Sequence, residues 1–154
     1  MIRFLWVAAL IAAFSSAALG KDIAKCGASD GYSYFPKAGL GAADQDTGEW
    51  HRDGIKDGRF TLTEISENVF DLLILDASGG IYSAKQDGAK IIILGSTKKS
   101  LSFLVSYPNA YVETYTFMRN EDDDAEAMWT SNKWGTPIPK AGAYRASCSF
   151  FVLR

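Results

Sequence analysis

The stretch that decides the fold covers residues 59–119 and is a series of short apolar segments separated by turns. The segments are RFTLTEI (59–65), VFDLLILDA (69–77), IYSAK (81–85), AKIIILGS (89–96), LSFLVSY (101–107) and AYVETYTFMR (110–119). In LSFLVSY, the core-forming residues stand at every second position, with Leu104 as the one exception on the other face. A period of two is typical of a strand with one buried face. The stretch therefore predicts a run of short strands.

The links between these segments are turn sequences, among them SGG (78–80), DG (87–88) and PN (108–109). Links this short join neighbouring antiparallel strands, because a parallel crossover needs a dozen residues or more. Further strands are predicted at 127–131 and 143–153, with a charged hairpin tip, NEDDD, at 120–124. We predict an all-β fold, an antiparallel meander of about eight strands. Short links favour closure into a small barrel, and a β-sandwich is the alternative.

Residues 1–20 have the layout of a secretory signal peptide. Arg3 precedes an apolar run, and Ala18 and Gly20 form an acceptable cleavage site. The run is short for a membrane-spanning helix, which needs about 20 apolar residues. We predict an exported protein, periplasmic or extracellular, with no stable membrane insertion after cleavage. An uncleaved anchor is one alternative. A lipoprotein modified at Cys26 is another, although Lys25 stands where a small residue is required.

The remaining chain, 21–154, is predicted to be one structural domain. Residues 21–57 are rich in glycine and show little periodicity, which predicts an irregular arm packed on a barrel domain at 58–154. The two cysteines, Cys26 and Cys148, lie near opposite ends of this part. In an exported protein an even pair predicts a disulfide.

The charge balance and the scarcity of reactive residues narrow the function classes. The net charge is −2, and losing Arg3 with the signal peptide makes it −3, which argues against nucleic acid as a partner. His51 is the one histidine, and a general base oriented by Asp53 would still lack a nucleophile motif. The sequence DQDTG (44–48) opens like a calcium loop but fails its later positions. We predict no enzyme activity, with an uncharacterised hydrolase as the alternative, and no metal and no cofactor.

The aromatic content suggests binding instead. An aromatic-lined cavity at a barrel mouth would take a small molecule, whereas a small barrel could also fill its interior with the same rings. Trp50 and Trp134 are predicted to lie in loops and to be better exposed contacts than Trp129. We therefore expect a non-catalytic binding or interaction module with an unknown protein or small-molecule partner.

Two local motifs resemble those of known families. Residues 78–82, SGGIY, look like the S-G-x-x-Y loop of bacterial C-type lysozyme inhibitors, which are small exported β-barrels with a disulfide. The resemblance implies an inhibitor of a cell-wall hydrolase that acts through the turn from Ser78 to Tyr82, with Ser78 and the downstream Lys85 entering the hydrolase cleft, although the tryptophan and Lys-Gly pair of that family are missing here. Residues 48–50, GEW, are similar to the G-x-W triplet of lipocalins, which are ligand-binding barrels.

A broader resemblance covers most of residues 58–148. The segments GRFTL, FDLL, YPNAYVETYTFMRN and TPIPKAGAYRASC look like those of small secreted bacterial proteins of unknown function. It implies export and a single domain, and no activity.

Overall fold

The computed structural model describes residues 20–41, 48–75 and 79–153. The predicted signal peptide, apart from Gly20, and residues 44–47 of the calcium-like motif lie outside these ranges. The described chain forms ten strands: β1 (Lys21–Tyr34), β2 (Trp50–Ile55), β3 (Arg59–Ser66), β4 (Val69–Leu75), β5 (Ile81–Ser83), β6 (Lys90–Ser96), β7 (Ser100–Tyr107), β8 (Tyr111–Arg119), β9 (Ala125–Lys133) and β10 (Lys140–Phe151). A single 3₁₀ turn spans Gly39–Gly41. The all-β prediction is confirmed, with ten strands instead of eight.

The strands form one antiparallel sheet with the order β5-β4-β3-β1-β10-β9-β8-β7-β6. Consecutive strands are neighbours almost throughout, and the last strand returns to pair with the first. The first half of β1 pairs with β3, and its second half pairs with β2 on the same edge. This curled meander matches the predicted small barrel in topology, and it remains open between β5 and β6.

Large aromatic side chains fill most of the interior. Phe103, Phe117 and Phe151 have no more than 1% of their surface exposed. Phe60 on β3 packs edge-on against Tyr115 and Phe117 on β8, with ring centroids 5.7 and 5.8 Å apart. Opposite walls of the sheet are therefore in direct contact, and burial of these rings supplies most of the apolar stabilisation.

The disulfide between Cys26 and Cys148 is present, as predicted. The two residues are direct partners in the ladder between β1 and β10. The register shifts on both sides of Cys26, which marks a bulge. The ladder also skips Ser149 on β10, and beyond this position Phe151 is buried and Val152 is exposed.

The irregular arm predicted over residues 21–57 is wrong for most of its length. β1 is a 14-residue strand in the middle of the sheet, and β2 extends the same sheet, so residue 58 marks no structural boundary. The period of two was hidden because several inward-facing residues of β1 are small, such as Ser29 and Ser33. These small side chains leave room for the rings of Trp129 and Tyr144, which lie against them.

The turn at residues 84–89 joins the two ends of the sheet. Asp71, buried on β4, accepts hydrogen bonds from Ser83 Oγ at 2.5 Å and from the Lys85 backbone N–H at 3.1 Å. The Ala89 N–H donates to the Ala84 carbonyl at 2.8 Å, and both alanines are buried. The turn thus holds β5 close to the start of β6, although no ladder joins these two strands within the described residues.

Candidate ligand pocket

A cavity of about 130 Å³ lies inside the curled sheet, above the packed rings. The exposed part of its lining includes Ile55 and Arg59 and is called its mouth below. Its walls come from strands on opposite sides of the sheet. The residues that line it are Ser29, Ile55, Gly58, Arg59, Phe60, Ile74, Leu75, Tyr82, Glu113, Tyr115, Trp129, Ser131, Lys133 and Lys140.

Stacked rings from neighbouring strands form one wall. Phe103, Tyr115, Trp129 and Tyr144 are successive partners across the ladders of β7, β8, β9 and β10. Their ring centroids are separated by 5.5, 5.6 and 4.1 Å, and adjacent planes are inclined by 18° or less. The Trp129 indole N–H donates to Ser29 Oγ at 3.1 Å, which fixes the orientation of the ring. Of the four rings, Tyr115 and Trp129 line the cavity. Each is stacked on both faces by its neighbours, so the pocket has a rigid apolar side made of ring edges.

A buried carboxylate, Glu113 on β8, lies beside this wall. Its side chain accepts hydrogen bonds from Tyr115 OH at 2.9 Å and from Ser131 Oγ at 3.2 Å, and Lys133 Nζ is 3.7 Å away. Burial, and then the negative charge of Glu113, raise the pKa of Tyr115 well above its usual value. Tyr115 therefore stays neutral and serves as a hydrogen-bond donor to the carboxylate.

A second polar cluster fastens β2 to β1 and β10. The Oδ2 atom of Asp53 accepts from Ser33 Oγ at 2.8 Å, from Tyr144 OH at 2.9 Å and from Lys140 Nζ at 3.0 Å. Burial alone would raise the pKa of Asp53, but the bonds from Ser33, Lys140 and Tyr144 outweigh it, and the pKa lies below its usual value. Burial likewise works against the Lys140 ammonium, yet Asp53 and Tyr144 raise its pKa overall. Both groups are charged at neutral pH.

The lining carries three cations, Arg59, Lys133 and Lys140, against one carboxylate, Glu113. Lys133 faces Glu113, and Lys140 is held by Asp53 just outside the lining. Arg59 takes part in none of the four ion pairs among the described residues. The mouth is thus positively charged beside an aromatic wall, an arrangement suited to an anion attached to a ring.

The structure brings one of the predicted binding residues to this pocket. Tyr82 lines it from β5. Trp50 lies in β2 rather than in a loop, is exposed, and packs against Tyr34 with ring centroids 5.7 Å apart. Trp134 is exposed in the link after β9. Neither tryptophan lines the pocket.

The residues of the lysozyme-inhibitor resemblance are only partly described. Ser78 lies outside the described residues. Lys85 is exposed in the turn after β5, where its backbone N–H is bonded to Asp71. Ile81 is 74% exposed at the start of β5. The part of the motif that can be placed is therefore at the surface, at the open side of the sheet.

His51 is half-buried in β2, not in a surface loop. Its expected orienting partner, Asp53, is instead bonded to Ser33, Tyr144 and Lys140. His51 Nε2 is buried and has no hydrogen-bond partner among the described residues. The two side chains named for a catalytic pair thus make no contact that would orient the histidine.

The described residues contain neither a metal-binding cluster nor a membrane-spanning helix. Within 20–41, 48–75 and 79–153, no group of three or more His, Cys, Asp or Glu side chains could hold a metal ion. The same residues contain no helix of the length and apolarity that a bilayer crossing requires.

Comparisons of the chain with protein families, with curated proteins and with solved structures found no match.

Sequence reasoning missed most of the pocket. One signal was present: Glu113 lies at an inward-facing position of a strand whose other inward residues are Tyr111, Tyr115 and Phe117, and a carboxylate there requires buried partners. Lys133 and Lys140 carry no local pattern. They flank the Pro-containing link between β9 and β10 and reach the pocket only because both strands run to the same end of the sheet.

Proposed function

We propose that the protein is an exported, non-catalytic binding module whose pocket takes a small anionic ligand built on a single ring. The observation that carries the proposal is the meeting of the stacked aromatic wall with the cations Arg59, Lys133 and Lys140 around one cavity. Export is supported by the signal-like residues 1–20 and by the disulfide, a bond typical of oxidising compartments.

The size of the cavity limits the ligand. Pockets for drug-sized molecules measure about 300–1,000 Å³, and this cavity measures about 130 Å³. An engineered apolar cavity of about 150 Å³ holds one benzene molecule. The pocket therefore accommodates one ring against Trp129 and Tyr115, with the polar part of the ligand left at the mouth.

The charged residues at the mouth determine which charge the ligand should carry. Glu113 is already bonded by Tyr115 and Ser131 and lies near Lys133, so its charge is compensated inside the protein. Arg59 forms no ion pair among the described residues and is exposed at the opening. A carboxylate or similar anion on the ring would pair with the Arg59 guanidinium, which binds such groups through two parallel hydrogen bonds.

Benzoate is a suitable probe because it is one ring with one carboxylate, and benzyl alcohol is its neutral counterpart. We expect calorimetric titration to show saturable benzoate binding and at least about tenfold weaker binding of benzyl alcohol, since a charged hydrogen bond contributes about 1.5–3 kcal/mol.

Arg59→Gln should weaken benzoate binding by about tenfold on the same reasoning. The matched control is Arg145→Gln, an exposed arginine on β10 outside the pocket, which should leave binding unchanged. Equal binding of both probes, or no binding of either, would refute the proposal.

A second candidate function is inhibition of a cell-wall hydrolase through the 78–82 turn. The observation that favours it is the 74% exposure of Ile81, which makes the described end of this turn available to a partner. Purified protein should then inhibit a C-type lysozyme in a cell-lysis assay, and Ser78→Ala should abolish the effect without changing the melting temperature. Full lysozyme activity at a molar excess of the protein would eliminate this candidate and leave the ligand proposal untouched.

A further inference from the structure

Strand β6 ends the sheet with an apolar edge that pairs on one side only. It pairs with β7, and no described residue pairs with its other edge. The sequence of the strand is KIIILGS, and Ile92, Ile93 and Leu94 are all exposed. The strand at the opposite end of the sheet, β5, has only three residues. Exposed edges of this length and apolarity are usually blunted or covered, because their free N–H and C=O groups invite another strand.

The exposure of β6 shows that the described residues leave part of its inner face uncovered. Ile93 is the ladder partner of Phe103, so the two side chains project to the same, inner side of the sheet. Phe103 is fully buried, whereas Ile93 is 40% exposed. On the outer face, Ile92 lies opposite Leu104, which makes a second apolar pair at the surface. A strand added beside β6 would place its own side chains next to Ile93 on the inner face and next to Ile92 on the outer face.

The ends of this edge are positively charged. Lys90 begins the strand, and Lys98 and Lys99 follow it in the turn to β7; all three are exposed. None of them takes part in an ion pair among the described residues. Asp87, in the preceding turn, is the nearest acidic residue along the chain. The edge is thus an apolar strip with basic groups at both ends.

We propose that the β6 edge binds an extended segment of a partner protein, with apolar residues at alternate positions and acidic residues at its ends. Binding occurs by strand addition, in which main-chain hydrogen bonds supply affinity and alternate side chains supply selectivity. The register shift between Ile93 and Gly95 marks a bulge. The added strand therefore pairs regularly with Lys90–Ile93 and continues past this irregularity to the end of β6 at Ser96, near Lys98 and Lys99.

A second copy of the chain fits this edge less well than an acidic segment. In an antiparallel pair of two β6 strands centred on Ile93, Lys90 of each copy would lie opposite Ser96 of the other. Lys98 and Lys99 of that copy follow directly, so like charges would gather at both ends and oppose the pairing. The charge pattern therefore points to a different, acidic partner.

The probe is the synthetic peptide acetyl-EDVTVTVDE-amide, with acetyl-KKVTVTVKK-amide as its basic counterpart. We expect the acidic peptide to bind the full chain saturably, with amide NMR shift changes centred on residues 90–96, and the basic peptide to bind at least about tenfold more weakly. Methylating alternate backbone nitrogens of the acidic peptide should abolish binding, because it removes the hydrogen bonds of a strand but keeps the charges.

Charge reversal at this edge distinguishes binding to β6 from a general electrostatic attraction between the peptide and the protein. The triple variant Lys90→Glu, Lys98→Glu, Lys99→Glu should lose about tenfold in affinity for the acidic peptide and gain for the basic one. The control is the triple variant Lys21→Glu, Lys37→Glu, Lys56→Glu, which makes the same change in net charge at exposed lysines elsewhere. It should bind the peptides like the parent, apart from a small uniform loss of affinity for the acidic peptide. Equal binding of both peptides, shifts outside β6, no binding, or a dimer formed through β6 would each overturn the proposal.

Discussion

Replacing Asp53 by asparagine tests the polar cluster that holds β2 against β1 and β10. One oxygen of Asp53 accepts three hydrogen bonds, from Ser33, Tyr144 and Lys140. The amide oxygen of the substituted asparagine can still accept these hydrogen bonds, but without the negative charge. The stability lost is therefore the difference between charge-assisted and neutral hydrogen bonds, about 1 kcal/mol for each of two or three contacts. Lys140, part-exposed, can turn toward water and recover some of this loss. We therefore expect Asp53→Asn to lower the free energy of unfolding by about 2 kcal/mol.

This loss should depend on pH in a defined direction. The pKa of Asp53 in the folded protein lies below its usual value of 3.8. The stabilisation by Asp53 is fully present above the unfolded-state pKa and disappears as the pH falls through the folded-state pKa. For Lys140 the pKa is raised above 10.5, so its contribution is full below that value and is lost as the pH rises through the folded-state pKa. The difference between parent and variant should therefore be constant from about pH 5 to pH 9 and shrink at both extremes.

Urea unfolding followed by tryptophan fluorescence measures the difference, with the slope of the free energy against urea unchanged. Asp57→Asn, an exposed aspartate in the link between β2 and β3, is the matched control and should change the free energy by less than about 0.5 kcal/mol. A loss of under about 0.5 kcal/mol for Asp53→Asn at pH 7 would refute the cluster as a stabilising element. So would a difference that stays constant down to pH 2.

Two further predictions concern the core and the disulfide. Cys26→Ala with Cys148→Ala releases a cross-link between residues 122 apart, for which the chain-entropy relation gives an upper limit of about 5 kcal/mol. Calorimetry should show a fall in melting temperature on the order of 10 °C, and a fall of less than about 3 °C would contradict this. Phe117→Ala removes a fully buried ring that packs on Phe60 and Phe103. It should cost about 3–5 kcal/mol in urea unfolding, and a loss below about 1.5 kcal/mol would mean that the core is not packed as described.

The strands from β3 onward could be predicted from the sequence because short segments rich in large apolar residues are separated there by turn sequences. β7 is the clearest example, since Leu101, Phe103 and Val105 are all buried as the period of two requires. β1 could not be found in this way. Its inward-facing Ser29 and Ser33 are small, and their burial depends on rings that lie 100 and 111 residues away in the chain. The sequence of one strand shows the size of each of its own side chains. It does not show the size of the side chain from another strand that packs against them.

The pocket could be predicted only in part, for a similar reason. Tyr82, which the sequence predicts to bind as part of the 78–82 turn, instead lines the cavity, and Trp50 and Trp134 lie outside it. The Asp53 cluster joins residues 87 positions apart, through the pairing of β1 with both β2 and β10. Such a cluster follows from strand order, which the sequence predicted only as a sequential meander. Glu113 is the exception, because an acid among inward-facing aromatic residues is visible in one strand.

The most direct test of the proposed pocket is the indole N–H signal of Trp129 in a heteronuclear NMR titration with benzoate. Trp129 lines the cavity and is buried, whereas Trp50 and Trp134 are exposed outside it. Binding in the pocket predicts a saturable shift of the Trp129 signal, little change at the indoles of Trp50 and Trp134, and a shift in Arg59→Gln that needs about tenfold more benzoate. An unmoved Trp129 signal at saturating benzoate, or shifts at Trp50 and Trp134 equal to that at Trp129, would contradict a ligand site in the pocket.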